Sequence, residues 1–305
     1  MVLDVIVMGA IDMDMYVHVD EFPKYGENIQ AKGLDQKVGG KGANQAVAVA
    51  KQGVNQALIG SVGNDDLGKQ ILDTLDQQGV KTGSIVNKND VQTGIAIAVV
   101  DHTGENTFMV ILGANMALKA EEAEQAMKPI EAKIFLLNLE TSQESVLAAL
   151  KAAKKKKMYV VLDPAPEGSY FEEALQYADL VTPNQQETER ITGMSVNTVD
   201  DAKKAAKWIA AQGVPDVIVK LGSNGSVLYE SKKDRYTIIE ATKVKTVNTV
   251  GAGDVFAGVL ASKLVKKPDD LVGAAKLASK AAALKVSRPG GPDDTPTKEE
   301  LDQMK

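Results

Sequence analysis

The chain has 305 residues, of which 44% are hydrophobic, and its 35 basic and 41 acidic side chains give a formal net charge of −6. This length can bury a sizeable core, and the acidic balance disfavours a nucleic-acid partner, which needs a basic surface. The absence of cysteine excludes disulfides, thiolate catalysis and zinc–thiolate sites. No apolar run reaches the length of a membrane span and no signal segment is recognisable, so we expect a cytoplasmic protein without a membrane partner.

Strands and helices alternate along most of the chain. Short apolar runs predict strands, and apolar side chains at helical spacing predict helices. In chain order the predicted elements are strand 2–8, helix 43–51, strand 57–59, helix 65–78, strand 134–139, helix 143–155, strand 158–162, strand 180–181, helix 200–212 and strand 217–221. This alternation predicts an α/β fold in which a parallel sheet is covered by helices on both faces.

Two segments depart from the alternation. Residues 13–38 and 93–112 contain strand-like runs with turn residues and no helical spacing between them. The run from Thr93 to Val100, for example, is apolar or small throughout. We therefore expect two small antiparallel flaps inserted into the α/β body.

Polar residues and glycines follow each predicted strand. Because the carboxyl ends of parallel strands meet at one edge of a sheet, ligands bind there in open α/β folds. We also interpret the region around residues 244–250 as a strand. The residues that follow the strands are Asp12, Asp14, Glu140, Asn184, Glu187, Gly222, Ser223, Gly225 and the run from Gly251 to Asp254. Their clustering at one edge predicts a single ligand site.

The run Gly251-Ala252-Gly253-Asp254 precedes a predicted helix at residues 255–265. Two glycines allow a tight turn that exposes successive backbone N–H groups, and these groups with the helix dipole form an anion site. A carboxylate beside such a site can accept the proton of an attacking hydroxyl during phosphoryl transfer. The alternative is that Asp254 only caps the helix.

The second dense signal is the glycine-rich run from Val38 to Ala46, which also leads into a helix. Glycines allow a ligand to approach the backbone closely, and Lys41 and Asn44 can hydrogen-bond a polyol. The alternative is a strained turn between a flap and the body. Two apparent nucleotide motifs fail: Phe256 occupies the third glycine of a dinucleotide fingerprint, and Gln70 replaces the Ser/Thr of a P-loop.

Together these residues resemble the ribokinase family of phosphofructokinase-B-type sugar and nucleoside kinases. Residues 39–46 resemble the family's N-terminal signature, and residues 247–256 resemble its C-terminal signature. Residues 184–187 fit its Asn-x-x-Glu motif, and residues 163–166 and 113–115 lie where its members carry similar segments. The resemblance covers nearly the whole chain and implies one ribokinase-like domain over residues 1–305, a three-layer sandwich with a small inserted β-lid.

The resemblance also implies residue roles. Asp254 would be the catalytic base, and the backbone N–H groups of Ala252, Gly253 and Asp254 would form the anion hole, with Gly251 also in the catalytic turn. Sugar hydroxyls would be bound by Asp12, Asp14, Gly40, Lys41, Asn44 and Glu140, together with Asp254. ATP and Mg²⁺ would be bound by Asn184, Glu187, Lys220, Gly222, Ser223, Gly225, Gly253 and Ser279.

In this family a loop beside the anion hole binds potassium through backbone carbonyls and an Asp carboxylate. The corresponding positions are Asn248, Val250, Lys285, Arg288, Gly290 and, across the loop, Asp294. A hard cation prefers anionic oxygen, and Asn248 offers a neutral amide. We therefore expect potassium activation to persist but to be weaker, and Asn248→Asp to strengthen it. The alternative is that carbonyls alone hold the ion.

The family's lid closes over the sugar and often builds a dimer, so we expect a homodimer through the segments near 13–38 and 93–112. The favoured reaction is the ATP-dependent phosphorylation of D-ribose to D-ribose 5-phosphate. Asp12 replaces the Asn usual in ribokinases, and Ser279 replaces Asn or His. Two alternatives stay open: a kinase of the same family for another sugar or a nucleoside, and a non-catalytic sugar-binding regulator on the same fold.

Overall fold

The computed structural model describes residues 2–166, 171–290 and 294–304. Its strands are β1 (Val5–Met8), β2 (Asp12–His18), β3 (Gly33–Gly39), β4 (Gln56–Gly63), β5 (Lys81–Lys88), β6 (Gly94–Val100), β7 (Asn106–Ile111), β8 (Ile134–Leu137), β9 (Tyr159–Leu162), β10 (Leu180–Val181), β11 (Asp216–Lys220), β12 (Ser226–Glu230) and β13 (Arg235–Ile239). Its α-helices are α1 (Lys41–Lys51), α2 (Asp66–Gln77), α3 (Ala120–Met127), α4 (Gln143–Lys155), α5 (Gln185–Thr192), α6 (Val199–Ala211), α7 (Ala252–Lys266), α8 (Leu271–Val286) and α9 (Lys298–Gln303).

The central sheet has nine strands in the order β13-β12-β11-β10-β9-β8-β1-β4-β5. Seven neighbouring strands of this sheet are parallel, namely β11, β10, β9, β8, β1, β4 and β5. The strands β12 and β13 are added antiparallel at one edge. After β1 the chain first builds β4 and β5 on one side and then β8 and β9 on the other. This reversal creates a crevice at the carboxyl ends of β1 and β8, where α/β proteins bind ligands.

Helices cover both faces of this sheet because successive strand residues point to opposite sides. In β1, Val5 and Val7 pack into a core with α1, α7 and α8, whereas Ile6 and Met8 pack into a second core with α3, α4 and α6. All four β1 side chains are fully buried. The predicted three-layer α/β architecture is therefore confirmed, including the short apolar strands that parallel sheets require.

One predicted strand is wrong. Residues 241–250 form an irregular segment that pairs with no strand, and Val247 and Val250 are 56% and 43% exposed. Its backbone is tied to the end of α8, because the N–H groups of Val247 and Asn248 both donate to the carbonyl of Val286. Since the segment binds a helix end and exposes its valines, the apolar residues in it do not indicate a strand. The turn at Gly251 is thus reached from a loop.

A second sheet lies beside the first, with the strand order β3-β2-β6-β7. The pairs β2–β3 and β6–β7 are antiparallel, as the sequence predicts for two flaps. The two flaps are joined by a parallel pairing of β2 with β6 into one mixed sheet, which local patterns do not indicate. Because β2 begins at Asp12 and β3 ends at Gly39, this sheet borders the crevice of the central sheet.

Helices α1 and α7 cross at a glycine, which sets the distance between the two signature segments. A methyl group on Gly258 would stand 2.6 Å from the Cβ of Ala48 and 2.8 Å from the carbonyl oxygen of Gln45. Such approaches are too close, so a larger side chain must separate the helices.

Gly258→Ala should therefore lower the free energy of unfolding by about 1–3 kcal/mol, the usual cost of overpacking a core. The matched control is Gly33→Ala in β3, where the added methyl group meets nothing within 4 Å. Urea unfolding of both variants measures the difference. Equal stability of the two variants would contradict the close helix crossing.

Candidate active site

A cavity of about 970 Å³ opens at the carboxyl edge of the central sheet. That volume suits a nucleotide-sized ligand. The predicted nucleotide and anion-hole residues that line it are Asn184, Glu187, Lys220, Gly222, Ser223, Gly225, Gly251, Ala252, Gly253, Asp254 and Ser279, and Lys41 and Asp163 line it as well. The predicted residues that follow β10 and β11 therefore share one cavity with the Gly251–Asp254 turn, whereas Asp12, Asp14 and Glu140 do not line it. Asp14 borders a small separate cavity together with Asn44 and Gly251.

Helix α7 begins at the Gly251–Asp254 turn. Gly251 is the N-cap residue with φ +76°, a left-handed conformation that favours glycine, and it makes no side-chain capping bond. Asp254 lies in the first helical turn and is buried. Its carboxylate accepts hydrogen bonds from the Asn44 side-chain amide at 3.2 Å and from that of Gln45 at 3.3 Å. The capping interpretation of Asp254 is therefore wrong, because its partners belong to α1.

Burial and neighbouring charges control the protonation of Asp254. Burial is the main cause that raises the pKa of its carboxyl to about 7; the carboxylates of Asp163 and Glu140 act in the same direction, whereas the Lys41 ammonium opposes the rise. A base with a pKa near neutrality accepts and returns a proton efficiently. This environment suits general-base catalysis better than a purely structural role.

Gln45 extends this arrangement beyond Asp254. Its side-chain nitrogen donates to Asp163 at 2.9 Å as well as to Asp254. Asp163 in turn accepts a hydrogen bond from the Lys220 ammonium at 3.1 Å, forming an ion pair in which both side chains are largely buried. The sequence prediction did not include Gln45 or Asp163 among the site residues, although both lie within the motifs used to define the family.

The glycine-rich turn before α1 serves two purposes. Gly40 has φ +84°, and a methyl group there would stand 2.5 Å from the carbonyl oxygen of Ala10, so the turn between β3 and α1 requires glycine. The same turn brings Lys41 to Glu140. The Lys41 backbone N–H donates to the Glu140 carboxylate at 3.0 Å, and its ammonium lies 3.6 Å from that group. The turn and ligand interpretations of this run are therefore compatible.

Asp12 and Asp14 lie two residues apart on β2 and so point to the same face of its sheet. The buried Asn115 side chain donates to Asp12 at 2.6 Å and also bonds both backbone groups of Ile11. Burial raises the pKa of Asp12 to about 8 and that of Asp14 to about 6, and the nearby Glu140 carboxylate raises both. Asn115 thus holds the start of β2 in place, a role that the sequence analysis did not predict.

Asn184 and Glu187 form the N-terminal cap of α5. The Asn184 side chain accepts from the Glu187 N–H, and the Glu187 carboxylate accepts from the Asn184 N–H, both at 2.8 Å. Burial raises the pKa of Glu187, and the Lys220 ammonium opposes this rise. No group of three or more acidic or histidine side chains able to hold a metal occurs in the described part of the chain. These two residues therefore suit Mg²⁺ that is held mainly by nucleotide phosphates and water.

In the loop predicted to bind potassium, the polar groups hydrogen-bond one another. The Asn248 side-chain oxygen accepts from the Val250 N–H at 2.9 Å, and its nitrogen donates to the Pro289 carbonyl at 2.7 Å. The Asp294 carboxylate accepts from the Gly290 N–H at 2.6 Å. The Lys37 ammonium already donates to the Gly290 carbonyl at 3.4 Å. The Asn248 side-chain amide and one Asp294 oxygen are therefore already hydrogen-bonded within the loop, which makes them poor ligands for a monovalent cation.

Comparisons with known proteins identify the family. The family profile described as pfkB family carbohydrate kinase matches residues 2–298. The chain belongs to this family. It is 34% identical over 297 residues to the ribokinase of Haemophilus influenzae, covering 96% of this chain and 95% of that protein. It is also 31% identical over 305 residues to the deoxyribokinase of Salmonella typhi, covering 99% and 98%.

The kinase shares its fold with a solved structure of Arabidopsis thaliana ribokinase complexed with ribose and ATP. The TM-score is 0.90 at 30% sequence identity, and the match covers 99% of this chain and 98% of that one. The fold and family predicted from the signatures are confirmed, and the protein is an ATP-dependent sugar kinase. Within residues 2–166, 171–290 and 294–304, no helix is long and apolar enough to cross a membrane.

The raised pKa of Asp254 predicts the pH dependence of the kinase. A protonated carboxyl cannot accept the hydroxyl proton, so kcat/KM should fall as the pH drops through about 7. Lys41→Met should move this midpoint upward, because the ammonium lowers the pKa of Asp254. Asp163→Asn should move it downward, because that carboxylate raises it. A midpoint near 4, or one that neither substitution moves, would contradict the assignment.

Proposed function

We propose that the kinase transfers the γ-phosphoryl group of ATP to the hydroxymethyl group of D-ribose, giving ADP and D-ribose 5-phosphate. The observation that carries this proposal is the position of Asp254. Its carboxylate accepts hydrogen bonds from two side-chain amides of α1 and lies in the first turn of α7. The backbone N–H groups of that turn can donate hydrogen bonds to the oxygens of a phosphoryl group. The names of the Haemophilus and Arabidopsis relatives support ribose as the acceptor.

In this reaction the hydroxymethyl oxygen attacks the γ-phosphorus while Asp254 takes its proton. A new P–O bond forms, the bond from the γ-phosphorus to the bridging oxygen breaks, and ADP leaves with that bond's electrons. The N–H groups from Ala252 to Asp254 stabilise the charge on the transferred group, as preorganised donors do in other transfer reactions. Asn44 and Gln45 orient the carboxylate.

The nucleotide would occupy the part of the cavity lined by Lys220, Gly222, Ser223, Gly225 and Ser279. Gly225 has φ +83°, and a methyl group there would stand 2.1 Å from the Ile239 carbonyl, so this turn stays narrow beside the cavity. Mg²⁺ bound to the phosphates would neutralise part of their charge, with Asn184 and Glu187 beside it.

The charges at the other end of the site favour a neutral polyol. Asp12, Asp14 and Glu140 offer carboxyl oxygens to sugar hydroxyls, and Lys41 and Asn44 offer donors. A pKa of about 8 leaves Asp12 mostly protonated at neutral pH, but the carboxylates of Asp14 and Glu140 still outnumber the single Lys41 ammonium, so a sugar that already carries a phosphate would be repelled. A second acceptor to consider is 2-deoxy-D-ribose, because the Salmonella relative is a deoxyribokinase and covers the whole chain. A non-catalytic regulator would not need Asp254, Asn184 and Glu187 together.

ADP release measured across acceptors tests the substrate. D-ribose should be turned over with the highest kcat/KM, ahead of hexoses and nucleosides, and ribose phosphates should be poor acceptors. The assay should include 2-deoxy-D-ribose as the closest competitor. Faster turnover of a nucleoside or hexose than of any pentose would contradict the ribose proposal but leave the kinase activity standing.

Asp254→Asn separates the proposed chemistry from structure. It should lower kcat by roughly 10²–10⁴-fold, the usual contribution of a positioned general base. The fold raises the pKa of Asp254 to about 7, so the cost of its ionisation to folding stability is complete above about pH 7. This cost shrinks as the pH falls below 7 and is gone only below the ordinary Asp pKa of 3.8. The variant should therefore unfold no more easily than wild type at pH 8.

The matched control is Asp270→Asn. Asp270 caps α8 by accepting from the Gly273 N–H, and Asn caps about as well as Asp. This variant should keep wild-type kcat. Wild-type turnover in Asp254→Asn would contradict the proposed base.

We also propose that the second sheet serves as a lid and pairs with a second copy. Its edge strand β7 is exposed along its whole length, and Phe108, Met109, Val110 and Ile111 are 42–56% exposed. An apolar edge strand of this kind is a template for pairing with another chain. In β3, on the other side of the sheet, Leu34 is 55% exposed.

Light scattering should accordingly give the mass of a dimer at micromolar concentration, and Val110→Asp should produce monomers. Ile238→Asp is the matched control, because Ile238 is equally exposed on β13, the edge strand of the central sheet. Monomeric wild type, or a dimer that only Ile238→Asp disrupts, would contradict pairing through β7.

A further inference from the structure

A lysine is buried behind the anion-binding turn. Lys285 lies in the last turn of α8 and is only 3% exposed. Its Cε lies 3.6 Å from the position that a methyl group on Gly251 would take. Lysine is almost never fully buried unless its charge has a role or a partner. The charges around Lys285 are therefore informative about its role.

Charges of both signs act on the Lys285 ammonium. Burial lowers the pKa of Lys285, and the like charges of Lys37 and Arg288 act in the same direction, whereas the carboxylates of Asp294 and Asp254 favour its charged form. The same side chain also lines a small cavity with Asn44 and Gly251. A positive charge thus lies between the base and the loop 285–290.

The loop itself leaves little for an external cation. Both the oxygen and the nitrogen of the Asn248 side-chain amide are hydrogen-bonded within the loop. One Asp294 carboxylate oxygen accepts a hydrogen bond from the Gly290 N–H, and the Gly290 carbonyl accepts one from the Lys37 ammonium. A bound monovalent ion would also lie near the ammonium groups of Lys37 and Lys285, whereas the charge of Arg288 is paired with Glu300. Unscreened like charges at short range repel strongly inside a protein.

We propose that the Lys285 ammonium takes the place of a monovalent cation beside the anion-binding turn, so that the kinase works without potassium. This inference rests on the proposed phosphoryl transfer at Asp254. Lys285 acts as a positioning residue through the Gly251 turn. Its fixed charge adds to the positive end of the α7 dipole, where negative charge develops on the transferred group.

The test compares two variants in buffers whose only cations are Mg²⁺ and tetramethylammonium. Lys285→Ala removes the charge and opens space, whereas Lys285→Met removes the charge and keeps the space filled. Lys276→Met is the control, because Lys276 lies on the same helix but is exposed. Potassium, ammonium or thallium(I) is then added at constant ionic strength. The kcat and KM values for ATP and D-ribose are measured separately.

Wild type and Lys276→Met should show the same kcat with and without potassium. Both Lys285 variants should lose about 10- to 100-fold in kcat, somewhat less than the loss of a donor that contacts the reacting oxygen. Potassium or ammonium should restore kcat in Lys285→Ala but not in Lys285→Met. A readout independent of activity is thallium(I) binding followed by ²⁰⁵Tl NMR, which should appear only in Lys285→Ala.

Potassium activation of the wild type would overturn the inference whether or not the variants fold, and would favour the expectation from the sequence in which Asn248 limits a persisting site. Wild-type kcat in Lys285→Met, or a folded Lys285→Ala that neither binds thallium nor responds to potassium, would also overturn it. If the wild type phosphorylates no sugar, the proposed function fails, while the thallium measurement still decides the role of Lys285.

Discussion

The contact between the first turns of α1 and α7 is the interaction on which the site depends. A buried carboxylate is costly unless donors satisfy it, and Asn44 and Gln45 supply those donors to Asp254. The same turn of α1 carries Lys41 to Glu140. The glycine at position 258 lets the two helices approach closely enough for this contact. One helix crossing therefore joins the segment proposed to bind the sugar to the segment proposed to bind the phosphate.

Charge is distributed unevenly across the proposed site, and this distribution fits a division into a sugar-binding part and a phosphate-binding part. The proposed sugar-binding part combines Asp12, Asp14 and Glu140 with Lys41, an arrangement that accepts hydrogen bonds from hydroxyl groups and repels anions. The proposed phosphate-binding part has the Gly251–Asp254 turn at the start of α7 and Lys220, all of which line the cavity. Gln45 spans the two parts through Asp163 and Asp254. Asp254 stands where the two environments meet, and this position raises its pKa to about 7.

The architecture was predictable because each helix and strand is indicated by a pattern within a short stretch of sequence. Apolar runs and helical spacing indicate the alternating elements, and strand ends indicate one edge of the sheet. The predictions failed where distant contacts decide the outcome. Residues 244–250 read as a strand, but Val286 ties them to a helix end. The strands β12 and β13 were not predicted. The role of Asn115 depends on Ile11, 104 residues away, and that of Lys285 depends on the direction of its side chain, which the sequence does not indicate.

The central proposal is that the hydroxymethyl group of a pentose, positioned beside Asp254, accepts the phosphoryl group of ATP. The most direct test is ³¹P NMR of the product formed from ATP and D-ribose, with proton coupling retained. The account predicts one phosphomonoester whose phosphorus couples to the two protons of a CH₂ group, because the acceptor is the hydroxymethyl carbon. A phosphate on the anomeric or a ring hydroxyl, whose phosphorus couples to a single proton, would contradict it.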